Sequence, residues 1–479
     1  MKQKNNYKWI ALSCTTIGAL FSVLSGSTLM IALPVIMKDL HAGMGIVTWI
    51  LMGYMLIMTI LVPSVGRVAD MFGRKKLYVS GFAVFTIASF FCATASNGVW
   101  LLAFRMIQAV GGALMIANST AIVADVFPRE ELGKALGING MIISIASVIG
   151  PILGGFLIQI GWRSIFYINI PIGIVGTLCA AFQLKEDYVE TEKQKFDWVG
   201  TFTFSVGMLS LLLALTLGGF TGWLQLPVLV LFLASVVFLV LFVRTEKKSA
   251  APMLDLQLFR IRALAFAYAS NLMNGIARGA VTFLLIFYFQ GIKGVDPIHA
   301  GILLAPIAVS MMIASPVSGY FSDKYGARVL SSIGLLISAF GLLGMVFITE
   351  KTPYSVLILY MFVLGLGSGM FFSPNSSSIM GMVPAGKRGI AAGVRTMALN
   401  AGNVLSIAIS MAIISSSISQ EAMQGLFMGT QIGSKGIAID QFMSGLRTAF
   451  LLSFIISVIA AVISYSRGTE QQWIEEEPS

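Results

Sequence analysis

Charge is what this chain has least of. Only 11% of its 479 residues are Asp, Glu, Lys or Arg, while 57% are hydrophobic. A soluble domain carries about 25% charged residues, so a water-facing surface of ordinary extent is excluded. Histidine is scarcer still. His41 and His299 are the only two, and with Cys14, Cys92 and Cys179 they form no metal-ligand spacing. The cysteines fall inside apolar runs, which argues against a disulfide framework. No nucleotide-binding glycine loop, nucleophile triad or zinc spacing occurs. The chain is therefore not expected to be an enzyme, nor to hold a cofactor or metal.

Apolar length is what it has instead. Runs of about 20 residues recur, the length a helix needs to cross a bilayer. We place fourteen spans near 9–34, 46–68, 77–96, 99–125, 134–158, 163–184, 197–217, 223–243, 264–290, 298–320, 329–348, 353–379, 389–415 and 446–466. The first is too long for a signal h-region and lacks a convincing cleavage site, so it is expected to stay. Basic residues orient the spans. The N-terminus, the loops after even-numbered spans and the C-terminus hold 22 Lys and Arg; the other loops hold 6. That split predicts cytoplasmic termini. The net charge of +10 is then mostly a topology signal, and nucleic acid is not an expected partner. The expected setting is a bacterial or archaeal cytoplasmic membrane.

A pattern occurs twice. Gly66-Arg67-Val68-Ala69-Asp70-Met71-Phe72-Gly73-Arg74-Lys75-Lys76-Leu77 returns, weakened, as Gly319-Tyr320-Phe321-Ser322-Asp323-Lys324-Tyr325-Gly326-Ala327-Arg328-Val329-Leu330, 253 residues on. Pro63 and Pro316 precede the two copies. Gly111, Pro128, Gly133 and Gly137 match Gly367, Pro384, Gly389 and Gly393 at an offset of 256. Spans 1–6 and 9–14 thus read as two similar six-helix bundles. Spans 7 and 8 have no partner and read as an insert. The expected divisions are 1–184, 185–254 and 255–479. Such halves can rock about a central site, as secondary transporters do.

These residues resemble the Major Facilitator Superfamily, in its 14-helix drug:proton antiporter branch. GRVADMFGRKKL resembles the loop between helices 2 and 3. RMIQAVGGA (Arg105–Ala113) resembles the helix 4 motif, and SVIGPILGG (Ser147–Gly155) the antiporter motif of helix 5. WRSIFYINIPIG and FFSPNSSSIMGMVP match further segments of that branch. The resemblance implies an all-α membrane fold and multidrug-type export. In similar transporters the 66–77 loop locks the bundles in one state. Gly66, Asp70, Gly73 and Arg74, with Asp323 and Gly326 in the second copy, are therefore the expected gate. Lys75 and Lys76 are expected at the anionic inner leaflet. Gly150, Gly154 and Gly155 thin one helix face for close packing, and Pro151 allows bending.

The sequence also departs from that branch. Its proton-exchanging members carry an aspartate in helix 1, before an Ala-Leu-Pro. Here that position is Ser25, ahead of Ala32-Leu33-Pro34. A hydroxyl neither takes up nor releases a proton at accessible pH, and no Asp or Glu lies at mid-depth in any span. Asp125, at a span end, is the remaining proton-site candidate.

Inside the spans the charges are positive. Arg105, Arg278 and Arg395 each cost roughly 3 kcal/mol at mid-depth unless they face a cavity or partner. Arg105 is also the family's helix 4 arginine. Arg278 shares a face with Asn271 and Asn274 and is expected in the cavity. Arg395, two turns before Asn403, either faces the cavity or snorkels to the interface. Asn118, Phe371, Phe372 and Asn375 flank the expected substrate path, with core packing an equal reading for the two phenylalanines. Residues 416–445 read as an outer loop or an amphipathic hairpin. The expected function is export of amphiphilic small molecules by a monomer in contact with lipid, with protons as an open coupling partner. Anion-linked transport, lipid export and a non-transporting sensor are the alternatives.

Overall fold

The structure is a computed structural model that describes residues 2–42, 44–185, 197–249, 254, 256–384, 387–418 and 436–468. Every regular element among them is helical. The first four spans are α1 (Lys2–Asp39), α2 (Met44–Phe72), α3 (Arg74–Ala93) and α4 (Gly98–Val126). α5 (Arg129–Ile160) bends by 41° between Glu130–Ser147 and Ile152–Ile160. α6 comprises Ser164–Tyr167 and Asn169–Gln183, α7 is Trp198–Thr221 and α8 is Leu226–Glu246. α9 comprises Arg262–Arg278 and Val281–Phe287, and α10 comprises Pro297–Leu303 and Ala305–Tyr325. α11 (Ala327–Val346), α12 (Tyr354–Met382), α13 (Arg388–Ser417) and α14 (Gly436–Tyr465) complete the order. Thirteen of these are long and apolar enough to cross a membrane, or fourteen with the bent α5 counted as one.

The boundaries differ from the sequence expectation where polar residues continue a helix beyond its apolar run. α14 starts at Gly436 rather than near 446. Phe442, expected in an outer loop, is therefore buried on α14. Residues 419–435 of that expected loop, with Leu426, Phe427 and Ile432, lie outside the described residues.

Sequence repeats become repeated contacts. Gly73 (φ +100°) and Gly326 (φ +82°) turn the chain from α2 into α3 and from α10 into α11. Side chains rarely adopt that backbone geometry. A Cβ on Gly111 would meet the Gly81 carbonyl at 2.7 Å, and one on Gly367 the Gly334 carbonyl at 2.4 Å. α3 therefore lies on α4 as α11 lies on α12, with backbones in near contact.

α7 buries Phe204, Met208 and Leu212 in one cluster with Ile390 and Val394 of α13 and Leu264 of α9. α8 packs on α7 and turns Leu226, Val230, Leu233 and Val236 outward. α9 breaks at Gly279–Ala280, where Gly279 lies against the Asn403 backbone. The Ala280 N–H donates to Ser406 Oγ at 2.9 Å. An interrupted span needs such a partner, because hydrocarbon offers none.

Candidate functional site

At the end where α2 turns into α3, two helix crossings bring matched glycines together. A Cβ on Gly66 of α2 would sit 2.3 Å from the Gly389 carbonyl of α13. One on Gly319 of α10 would sit 2.2 Å from the Gly133 carbonyl of α5. One turn inward, Gly393 lies against Pro63, and Gly137 against Pro316. The sequence offsets of the two repeats map each crossing onto the other. At the second crossing Asp323 accepts from the Gly133 N–H at 2.8 Å and the Lys134 N–H at 3.0 Å. These groups lie in the second turn of α5, just past the N-terminal N–H groups that lack helical partners, so Asp323 bonds to the side of the helix backbone. Asp70 occupies the matching place at the first crossing; its side chain lies outside the described residues.

An ionic triad adjoins the first crossing. Asp125, at the end of α4, pairs with Arg74 of α3 and accepts from Arg388 Nη1 of α13 at 3.1 Å. Arg388 Nη1 also donates to the Ala124 carbonyl at 2.6 Å. Arg74, an expected gate residue, is only 3% exposed and turns inward to this pair. Sequence reading counted Arg388 as a topology charge. Its partner is not legible because the two residues are 263 apart and lie in different repeats.

Between the crossings lies a cavity of about 70 Å³. Arg395 of α13, Thr120 of α4, Ser376 and Phe372 of α12, and Asn139 of α5 are among its lining residues. Arg395 Nη1 donates to Ser376 Oγ at 3.2 Å, Nη2 donates to Thr120 Oγ1 at 3.5 Å, and the guanidinium lies 5.4 Å from the Phe372 ring centroid. Thr120 and Ser376 are themselves related by the 256-residue offset. Arg395 thus reaches equivalent hydroxyls in both repeats. Its Nε has no partner among the described residues. Among the described residues, no lining residue is acidic and none comes from α7 or α8.

Ser25 lies elsewhere, in the outer part of the α1–α6 group. Its Oγ accepts from Arg105 Nη1 at 3.4 Å and Asn169 Nδ2 at 3.3 Å. Arg105 is fully buried, donates to Gln108 Oε1 at 2.5 Å, and stacks 4.4 Å from the Tyr54 ring centroid. Gln108 passes the chain on to Ser89 Oγ at 2.6 Å.

The remaining expected site residues disperse. Arg278 does not line the described cavity; its Nη1 lies 3.8 Å from Met311 Sδ. Asn271 is buried and donates to the Arg395 carbonyl at 2.6 Å, while Asn274 is buried on α9. Asn118 turns back to the Leu114 carbonyl at 2.7 Å. Phe371 packs in a core cluster with Leu335 and Ala460, whereas its neighbour Phe372 faces the cavity. Asn375 accepts from Arg467 Nη1 at 3.4 Å. Arg467, counted from sequence as a tail charge, is 1% exposed inside the C-terminal group. A Cβ on Gly150 would meet Ser27 Oγ, on Gly154 the Thr28 Cα at 3.0 Å, and on Gly155 the Ile298 side chain at 2.5 Å. The α5 bend therefore runs beside α1 and α10. The Pro151 side chain lies outside the described residues.

A helical membrane fold, paired crossings and a mostly apolar cavity that holds one arginine between the repeats are the architecture of a membrane transporter. The profile described as Major Facilitator Superfamily matches residues 15–245, 198–406 and 267–476, and the chain belongs to that family. Riboflavin transporter RibZ of Clostridioides difficile (strain 630) is 35% identical over 422 residues, covering 88% of this chain and 89% of RibZ. Multidrug transporter protein MdtP of Bacillus subtilis (strain 168) is 34% identical over 370 residues, 77% of this chain and 68% of MdtP. The crystal structure of the human organic anion transporter MFSD10 (TETRAN) covers 94% of this chain and 99% of its own, with a TM-score of 0.63 and 15% identity. That last likeness speaks to the fold alone.

Proposed function

We propose that the protein exports neutral or anionic amphiphilic small molecules across the cytoplasmic membrane by alternating access, with both termini inside. Residues 1–184 and 255–479 act as the moving halves, and 185–254 form the inserted pair. The carrying observation is the doubled crossing, in which Gly66 meets Gly389 and Gly319 meets Gly133. We read this as the cytoplasmic gate in its closed form, with Asp323 and the Arg74–Asp125–Arg388 triad as its latches.

Two further points support the reading. The cavity of about 70 Å³ is far below the roughly 300–1,000 Å³ of a drug-sized site, so cargo requires the halves to part. Arg395 places a fixed positive charge there with no carboxylate on the lining among the described residues, which disfavours cations and suits anionic or carbonyl-bearing aromatic cargo. Similarity to relatives named for riboflavin and multidrug transport supports small organic cargo.

The test is uptake of paired anionic and cationic dyes into proteoliposomes. Anionic uptake is expected to exceed cationic uptake and to fall about tenfold in Arg395→Ala, the loss of one charge-assisted hydrogen bond. Cationic uptake exceeding anionic uptake, or anionic uptake unaffected by Arg395→Ala, overturns the cargo assignment.

A further inference from the structure

The Ser25–Arg105 cluster holds a cation with no carboxylate partner among the described residues. Arginine stays charged in any protein environment. The groups around it among the described residues come from five spans: Ser25 of α1, Tyr54 of α2, Ser89 and Cys92 of α3, Gln108 of α4, and Phe166 and Asn169 of α6. None is acidic. Arg105 is 0% exposed, and its Nε and Nη2 have no partner among the described residues. Fully buried guanidinium donors are otherwise almost always paired.

We propose that this cluster binds a small monovalent anion, halide or simple carboxylate, which supplies the negative charge that Ser25 does not. Arg105 Nε and Nη2 are the principal donors, and Ser25 and Asn169 set the anion's surroundings. The site lies apart from the Arg395 cavity, so it stands or falls independently of the cargo assignment. An anion there neutralises Arg105 in the folded protein and stabilises it by mass action. Bound anion, rather than a proton, then becomes the ion whose occupancy the N-terminal bundle senses.

The probe is chloride, titrated into detergent-purified full-length protein against gluconate at constant ionic strength, with formate as the carboxylate arm. The melting temperature is expected to rise saturably with chloride, by roughly 2 °C or more. A response to formate alone assigns the site to carboxylate groups, and thus to an organic anion. Ser25→Asp places a tethered carboxylate beside Arg105 and is expected to abolish the anion response while raising the anion-free melting temperature. Ser25→Asn, similar in size but neutral, is expected to keep the response. Equal melting temperatures in chloride, formate and gluconate overturn the proposal. So does an undiminished anion response in Ser25→Asp, which also shows that the response arises elsewhere.

Discussion

The two crossings share a backbone geometry and differ in electrostatics. At both, glycines let helices from different repeats touch with no side chain between them. At the second, Asp323 bonds directly to the backbone N–H groups of α5, and the residue matching Arg74 is Ala327. At the first, Arg74, Asp125 and Arg388 form an ion triad, with side chains of Asp125 and Arg388 only 13% and 23% exposed. The place matching Asp125 in the second repeat is Gly381. Close approach is therefore the shared device, and charge latching is added on one side. A buried carboxylate between two arginines is strong only while all three stay together, since a lone member is left unpaired away from water.

The comparison breaks first at the glycines. Gly319→Val and Gly66→Val each place a side chain inside the partner helix backbone, at 2.2 Å and 2.3 Å already for Cβ. Backbone cannot yield as a flexible side-chain end can. Both variants are expected to lose at least about tenfold in transport while still inserting in the membrane. Normal transport in one and loss in the other shows that the crossings are not equivalent parts of one gate.

The ionic side comes next. Asp125→Asn leaves Arg74 buried beside a neutral amide and is expected to favour gate opening by roughly 3 kcal/mol. The measurement is maleimide labelling of a Ser119→Cys reporter in the cavity, in inside-out vesicles. Faster labelling is expected, and lower transport with it. An unchanged labelling rate removes the triad from the gate. Asp323→Asn should act more weakly, by about 1 kcal/mol, because the amide oxygen still accepts one of the two N–H groups. If Asp323→Asn opens the gate more than Asp125→Asn, the backbone contact rather than the ion triad holds the closed form.

Much of this was legible before the fold. Spans follow from apolar length, and Gly66, Gly133, Gly319 and Gly389 stood out because the repeat puts them in register. Register does not give rotation about the helix axis, however. The sequence favours Arg278 over Arg395 for the cavity, yet Arg395 lines it and Arg278 turns toward Met311. Arg388 and Arg467 were hidden by a different cause. Positive residues beside spans are abundant because they set topology, so those with buried partners are not distinguished by type. Arg388 could be picked out only by the pairing of its span with α4, a long-range contact that no local pattern encodes.

The opposite end of the molecule offers the smallest effect and a control on the comparison. There Asp39, just beyond the apolar part of α1, accepts from Trp162 Nε1 at 2.7 Å and Arg163 Nη1 at 3.0 Å. These bonds hold its carboxyl below the usual carboxylate range. A carboxylate with a lowered folded pKa stabilises above its unfolded value of about 3.9 and loses that contribution as pH falls through the folded one. Asp39→Asn is therefore expected to lower the melting temperature slightly at pH 7, by about 1 °C for a pair so exposed. Once pH falls below that folded value, the variant and the unmodified protein should converge. The latch ties α1 to the connection between α5 and α6, within one half, so it does not have to break when the halves part. Transport should then be unchanged in Asp39→Asn at neutral pH, and a loss exceeding that of Asp323→Asn would mean that the N-terminal half does not move as one body.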